Sequence, residues 1–378
     1  MPVSRNILSI ICILLLAACV DRIEFDDIKP ANFPLVVDGF ISDKPGPYTV
    51  KLSQSFDIDS KATIRIPVSA RRLVISDNDG VLEELTEISK GTYQTSTHGI
   101  KGQAGKVYKL RVELSDGKIY ESVPDTLLPT GKMDSIYFSY NQNKNSEYGF
   151  DVFANSSRES STSDRFMWSM TGTFKSETHP EFNIKACNYF QGKCNFAPVC
   201  SGYRNIGTNL EKIMVKLYPC ECCTCWYAIF NESPILNDDY YSTADHFKGV
   251  YVGRIPVNGW TFMYKIHVEV RLLSLSRQSF LLFKAIRDQK RAINSLFQPV
   301  SGKIPLNFIQ LAGANEPIQG LFYATGISSK SKYILRKEVP NREEIPTLER
   351  MAQSGVGWVS CLDLFPNATT VMPAFWRD

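Results

Sequence analysis

Four cysteines fall within six residues in Cys220-Glu-Cys222-Cys223-Thr-Cys225. A chain with such a cluster must cross-link it, load it with metal, or use it for redox chemistry. The spacing holds two interlocked Cys-x-x-Cys pairs, Cys220/Cys223 and Cys222/Cys225. Four thiolates placed this way can close tetrahedrally on a structural zinc, which is the competing reading. A redox Cys-x-x-Cys needs a thioredoxin-like strand and helix around it, and that context is absent from the sequence. Cross-linking is the reading that uses every cysteine. If the segment is extended, Cys220 and Cys222 face one way and Cys223 and Cys225 the other. One strand is then bolted on both sides, to Cys187, Cys194, Cys200 and Cys361. Adjacent Cys222 and Cys223 reach disulfide geometry poorly with each other. The expectation is therefore structural disulfides of unassigned pairing, and no metal site or cofactor.

That expectation depends on an oxidising compartment, and the front of the chain supplies one. Arg5 gives a positive start, Ile7 to Leu16 an apolar run too short for a mature spanning helix, and Ala17-Ala18 a small-residue exit. Leu16-Ala17-Ala18-Cys19 is a bacterial lipobox: the peptide is cut before Cys19 and its thiol is acylated. At ~0.8 kcal/mol per buried methylene, two or more acyl chains anchor stably. Residues 1–18 read as a lipoprotein signal peptide, and 19–32, with Asp21, Glu24, Asp26 and Asp27, as a lipidated tether. Of ten cysteines, Cys12 is removed and Cys19 carries lipid, which leaves an even set for disulfides. No other run is long and apolar enough to span a bilayer. A formal net charge of +3 leaves no basic field to recruit nucleic acid.

The body reads as mainly β. Between residues 33 and 128, short alternating runs are separated by turn signals. Leu35 to Ile41, Tyr48 to Leu52, Leu73 to Ser76 and Tyr108 to Leu114 alternate, and Asp77-Asn-Asp-Gly80 and Asp116-Gly117 turn the chain. Seven or so strands in this length indicate an immunoglobulin-like β-sandwich. Pro124, Pro129 and Gly131 mark a boundary. Residues 129–378 then form a larger Cys-rich, disulfide-stapled β domain with one long helix near 276–297. Trp260 to Leu272 is its clearest strand, which places His267 on the opposite face, toward solvent. Ser276 caps the helix, Pro299 stops it, and Arg287, Lys290 and Arg291 form a solvated basic face.

Catalytic signatures are missing: there is no His-Glu-x-x-His, no Gly-x-Ser-x-Gly and no phosphate-cradling glycine loop. His98, His179, His246 and His267 are scattered. No catalytic residue is assigned, and the protein reads as a non-enzyme. Asp238-Asp239-Tyr240-Tyr241, beside the cluster, is a candidate binding loop because acids and aromatics on a loop make contacts. The bland reading of the same loop is a capped, half-buried turn.

Several motifs in order complete the reading. They are Leu35-Val-Val-Asp-Gly39, Gly46-Pro-Tyr-Thr-Val50, Gly91-Thr-Tyr93, Gly105-Lys-Val-Tyr108, Tyr120-Glu-Ser122 and Asp134-Ser-Ile136. Later come Cys225-Trp226, Val268–Leu275, the helix, Phe297-Gln-Pro299, Pro317-Ile-Gln-Gly-Leu-Phe322 and a terminal Pro-x-Phe-Trp. Together they resemble a family of Bacteroidota outer-membrane lipoproteins, classed as a domain of unknown function and often encoded beside TonB-dependent receptors. The chain departs at Leu364, where the family pattern has a second cysteine after Cys361. The resemblance implies a lipid-anchored outer-membrane protein, surface-facing with the periplasmic face as the alternative, that assists a TonB-dependent receptor in taking up a ligand. It also makes Thr126 and Ser135, in Asp-Thr-Leu and Asp-Ser-Ile, candidate O-glycosylation sites. The competing functions are a surface hydrolase using carboxylates of the second domain and a structural or adhesive envelope protein.

Overall fold

Alternating side chains need two sheets to close over them, and this chain makes that arrangement twice. The computed structural model describes residues 34–58, 62–158, 164–179, 202–206, 213–231, 233–239, 245–293, 307–313, 318–347, 350–351, 360–365 and 367–377. The first part holds β1 (Leu35–Ser42), β2 (Thr49–Ile58), β3 (Ala62–Pro67), β4 (Arg72–Asp77), β5 (Leu82–Glu84), β6 (Thr86–Ser89), β7 (Thr92–Gln94), β8 (Val107–Glu113), β9 (Ile119–Ser122) and β10 (Asp125–Thr126). The later part holds β11 (Lys132–Gln142), β12 (Tyr148–Ser157), β13 (Phe166–Glu177), β14 (Tyr203–Asn205), β15 (Met214–Lys216), β16 (Thr224–Phe230), β17 (Ile235–Leu236), β18 (His246–Pro256) and β19 (Lys265–Ser274). It continues with α1 (Arg277–Ile293), β20 (Phe308–Ala312), β21 (Ile318–Leu335) and α2 (Cys361–Leu364).

The first core lies between β1-β2-β7-β6 and β20-β9-β8-β4-β5. Val37, Val50 and Leu52 meet Leu73, Ile75, Leu110 and Tyr120 there. The second lies between β11-β12-β18 and β16-β13-β19-β21, where Val152 and Val250 meet Trp168, Val268 and Val270. The other face of the long sheet is covered by α1, with Leu282 packed among Met167, Leu273 and Ile327.

β21 runs through both cores. Ile318 to Thr325 pair in parallel with Leu35 to Ser42, and Gly326 to Leu335 pair antiparallel with Ser274 to Lys265. β20 also pairs with β9. The expected division at 128/129 is therefore a linker in the sequence but not a cut in the fold. The first sandwich is completed by strands from beyond residue 300. A parallel pair needs a long return path, and local turn signals do not announce one. At Gly320 (φ +104°), β21 lies so close to β1 that a Cβ would collide with the Val37 carbonyl oxygen.

Buried Asp125 ties this junction together. Its Oδ2 accepts Ser279 Oγ–H at 2.7 Å and Ala324 N–H at 2.9 Å. Ser276 Oγ accepts Ser279 N–H at 3.1 Å, as the capping argument expects. The expected strand from Trp260 begins instead at Lys265. Asn258 Oδ1 accepts the amides of Trp260 and Thr261 and folds that stretch into a turn, with Phe262 dropped into the core.

Candidate functional site

The cysteine cluster is turned rather than extended. The chain bends at Glu221-Cys222 before β16 starts, and Cys220 and Cys223 pair locally, Cα to Cα 5.4 Å. That corrects the two-sided bolt, which required all four residues on one straight strand. Cys225 does reach out, to Cys361, with Cα atoms 6.2 Å apart across 136 residues. Cys222 is buried and disulfide-bonded as well. Cys187, Cys194 and Cys200 lie outside the described residues, as does Cys19.

The Cys225–Cys361 bond starts a clasp. Cys361 N–H donates to Cys222 O at 2.9 Å, and Trp226 and Thr369 exchange backbone hydrogen bonds at 2.8 and 3.0 Å. The tail then lies over β19 and β21. Trp376 is buried against Trp226 and Tyr333, and the Lys265 ammonium sits 5.1 and 5.3 Å from the Tyr333 and Trp376 ring centroids. His267 is consequently not a surface residue. It is 7% exposed, stacked on Phe375 at 4.3 Å and edge-on to Tyr333. Burial pulls its pKa below the usual histidine value, against the opposing charge of Glu269. Strand alternation placed His267 on the correct face, but the tail that covers that face comes from 100 residues away.

The candidate loop is structural where it is described. Asn237–Asp239 is a 3₁₀ turn. Asp238 accepts two hydrogen bonds from Arg287, at 2.5 and 3.1 Å, and Lys284 Nζ lies 2.9 Å away. Partial burial pushes the Asp238 carboxyl up, but Arg287 and Lys284 outweigh it and hold the group at about 2. Arg287 is thus not part of a solvated face: its side chain is 4% exposed and fixes α1 to this turn. Tyr240 and Tyr241 lie outside the described residues. The O-glycosylation candidates Thr126 and Ser135 are half-buried in paired strands, and Ser135 Oγ accepts Asn155 Nδ2–H at 2.9 Å.

The surface with the most binding chemistry is the outer face of β11-β12-β18. Register places Tyr137 opposite Phe153 and Phe153 opposite Tyr251. The rings form a row across three strands, with successive centroids 5.2 and 5.8 Å apart. Tyr137 and Tyr251 are each 43% exposed. Ile136, Phe138 and Tyr140, on the alternate face of β11, pack into the second core.

Fixed polar groups flank the row. On one side Asn155 Oδ1 accepts Gly249 N–H at 2.8 Å, while its amide holds Ser135. On the other, Arg254 donates to Asp151 at 2.8 Å and to the carbonyls of Asn141 and Glu147 at 3.0 and 2.8 Å. A bulge in the β12–β18 pairing brings Gly249 (φ +65°) beneath the Tyr137 hydroxyl, where a Cβ would lie 3.2 Å from it. Sequence reading found these strands but not this surface. Both faces of β11 carry aromatics, so polarity does not say which face is wet.

Two depressions accompany these features. One, of about 230 Å³, opens between Gln54, Ser69, Asp116 and Lys118. The other, of about 190 Å³, opens beside Cys220–Cys223, with Glu177, His179 and Lys216 on its wall. Both are smaller than the ~300–1,000 Å³ of ordinary small-molecule pockets. Burial pushes the carboxyls of Asp77 and Glu177 up, but hydrogen bonds from Lys106, and from Tyr264 and Lys175, bring both below their usual values. Hydrogen bonds from arginine hold Glu113 down, and one from Lys118 holds Asp116 down. No three His, Cys, Asp or Glu side chains converge as a metal-ligand set among the described residues.

A family model described as Domain of unknown function (DUF4249) matches residues 22–331 of the chain. No curated protein matches it.

Proposed function

The chain belongs to the DUF4249 family, and from that premise we propose that it is a lipid-anchored outer-membrane protein that binds a ligand on its surface and serves a TonB-dependent receptor. The observation that carries the binding part is the outer face of β11-β12-β18, where the Tyr137–Phe153–Tyr251 row stays exposed on a sheet whose other face is core. An exposed aromatic row has a cost in water, and ligand contact removes it. The lipobox at Leu16–Cys19 supports the anchor. Residues 19–34 reach at most about 55 Å when fully extended, so the body works close to the membrane, where tethering raises the effective concentration of weak contacts.

The hydrolase reading is weaker on electrostatic grounds. A general acid must hold its proton near neutral pH. The shifted carboxyls described above all move toward the ionised state.

The test is recovery of the lipidated protein from native outer membranes in a mild detergent, followed by mass spectrometry of what accompanies it. A stoichiometric TonB-dependent receptor is expected, and Cys19→Ala should leave the membrane fraction. Recovery of the protein alone, under conditions that preserve other receptor complexes, would sink the accessory role.

A further inference from the structure

We propose that the free edge of β11 is a docking strand for an extended, acidic segment of a partner protein, which it takes up as an added β-strand. The proposal deepens the accessory reading above and rests on it only for the existence of a partner chain.

The edge itself comes first. An open sheet edge presents unpaired N–H and C=O groups, and folded proteins blunt it with bulges, prolines, charges or short strands. Most outer strands here follow that rule. β18 breaks register twice against β12, β20 shifts once against β9, and β3 carries Arg65 and Pro67. β5, β6, β14 and β15 are only three or four residues long, and the tail holds β16 through Trp226 and Thr369. β11 is different. From Ser135 to Gln142 it pairs with β12 without a break, and Ser-Ile-Tyr-Phe-Ser-Tyr-Asn-Gln holds no charge, proline or glycine. Asn143 N–H donates to Glu147 O at 2.9 Å, so odd-numbered residues of this run turn their backbone groups to β12 and even-numbered ones turn theirs away. Ile136, Phe138, Tyr140 and Gln142 therefore offer N–H and C=O groups that pair with no strand among the described residues. The row is ~20 Å long, and another extended backbone is what satisfies it.

Charge then selects the occupant. The side chains of Ile136, Phe138 and Tyr140 turn inward but are only half-buried, because the sandwich stops beside them. Across this opening runs β21, which has left β1 after Thr325. Its exposed Lys330 and Lys332 share the core-side face with Ile334, and Lys332 Nζ lies 5.7 Å from the Phe138 ring centroid. Neither lysine forms a salt bridge among the described residues. The acids nearby sit at the two ends: Asp134, at the bulge, accepts Ser157 Oγ–H at 3.1 Å, and Glu344 acts on the Tyr140 hydroxyl. The middle of the edge is left to the two lysines. Being two residues apart on a strand, they match the ~7 Å repeat of same-face side chains on an added strand. Carboxylates at alternate positions of that strand meet the ammonium groups, and apolar side chains at the others lie beside Tyr137 on the outer face. A second copy fits badly, since antiparallel β11–β11 pairing centred near Phe138 brings two Lys332 groups together.

The experiment uses the full lipidated chain in detergent and hydrogen–deuterium exchange read by mass spectrometry. The probes are three peptides of equal length: alternating Glu-Val, alternating Lys-Val, and alternating Glu-Pro, which keeps the acidic charge but cannot form a strand. The Glu-Val peptide should protect residues 136–142 and leave Arg72–Asp77 unchanged, and the other two should protect neither. In Lys330→Glu/Lys332→Glu, half-protection should need at least tenfold more Glu-Val peptide, and Lys-Val should become the better ligand. Lys330→Gln/Lys332→Gln should fall between, and both variants should keep the thermal midpoint. The proposal is overturned by no protection from Glu-Val, by equal protection from Lys-Val or Glu-Pro, or by protection that the charge-reversed variant retains. It is also overturned by protection that appears without peptide as protein concentration rises, which marks a second copy as the occupant. Receptor recovery without peptide binding removes the docking edge and keeps the accessory role. Peptide binding without a receptor does the reverse.

Discussion

The two described disulfides should differ greatly in what they contribute, and loop length says by how much. Cys225–Cys361 closes 136 residues, while Cys220–Cys223 closes 3. No other cysteine lies between Cys225 and Cys361, so no second bond shortens that loop. Loop-closure entropy then assigns about 5 kcal/mol to the long bond and about 1.5 kcal/mol to the short one. Cys225→Ala/Cys361→Ala also removes two buried sulfurs and frees the tail that covers His267, which adds to the cost. With a urea slope of about 3 kcal/mol/M, the midpoint should fall by roughly 1.5 M for this variant and 0.5 M for Cys220→Ala/Cys223→Ala. The assay is urea unfolding followed by far-UV circular dichroism and by tryptophan fluorescence, since Trp226 and Trp376 report on the clasp. Equal midpoints for the two double variants would refute the loop-length argument. They would mean that the tail is held by its packing and that the covalent bond is incidental.

Two further perturbations test the frame. Gly320→Ala places a Cβ against the Val37 carbonyl at a positive φ. It should cost at least ~3 kcal/mol and speed hydrogen exchange in both Leu35–Ser42 and Ile318–Thr325; a loss below 1 kcal/mol would contradict the close approach. Arg287→Met leaves Asp238 with Lys284 as its remaining charged partner and should cost about 2 kcal/mol near neutral pH. Asp238 has a folded pKa of about 2, below its unfolded value. Its contribution is therefore complete above pH ~4 and lost as the pH falls toward 2. Solvent screening at this partly exposed site reduces that pH-dependent part to about 1 kcal/mol. The Met variant should show a flatter acid limb in a stability–pH titration, and an unchanged limb would count against the pairing.

Strand existence was readable from the sequence because burial imposes a period of two wherever one face meets a core. Ile266, Val268, Val270 and Leu272 show it plainly, and the cap at Ser276 was equally local. Arg287 was misread for the converse reason. Its helical position looks solvent-facing until the Asn237–Asp239 turn is placed beside it, and nothing near residue 287 encodes that turn.

The sequence alone determined the mainly β composition, the positions of the turns and the helix start, since each follows from neighbours a few residues apart. Tertiary structure decided the rest. It sent β21 through both sandwiches, laid the tail over His267, bent the cluster so that Cys220 meets Cys223, and aligned Tyr137, Phe153 and Tyr251 into one row. These outcomes depend on which strand lies beside which. Strand neighbours are chosen by the free energy of closing two cores at once, to which residues more than 100 positions apart contribute equally.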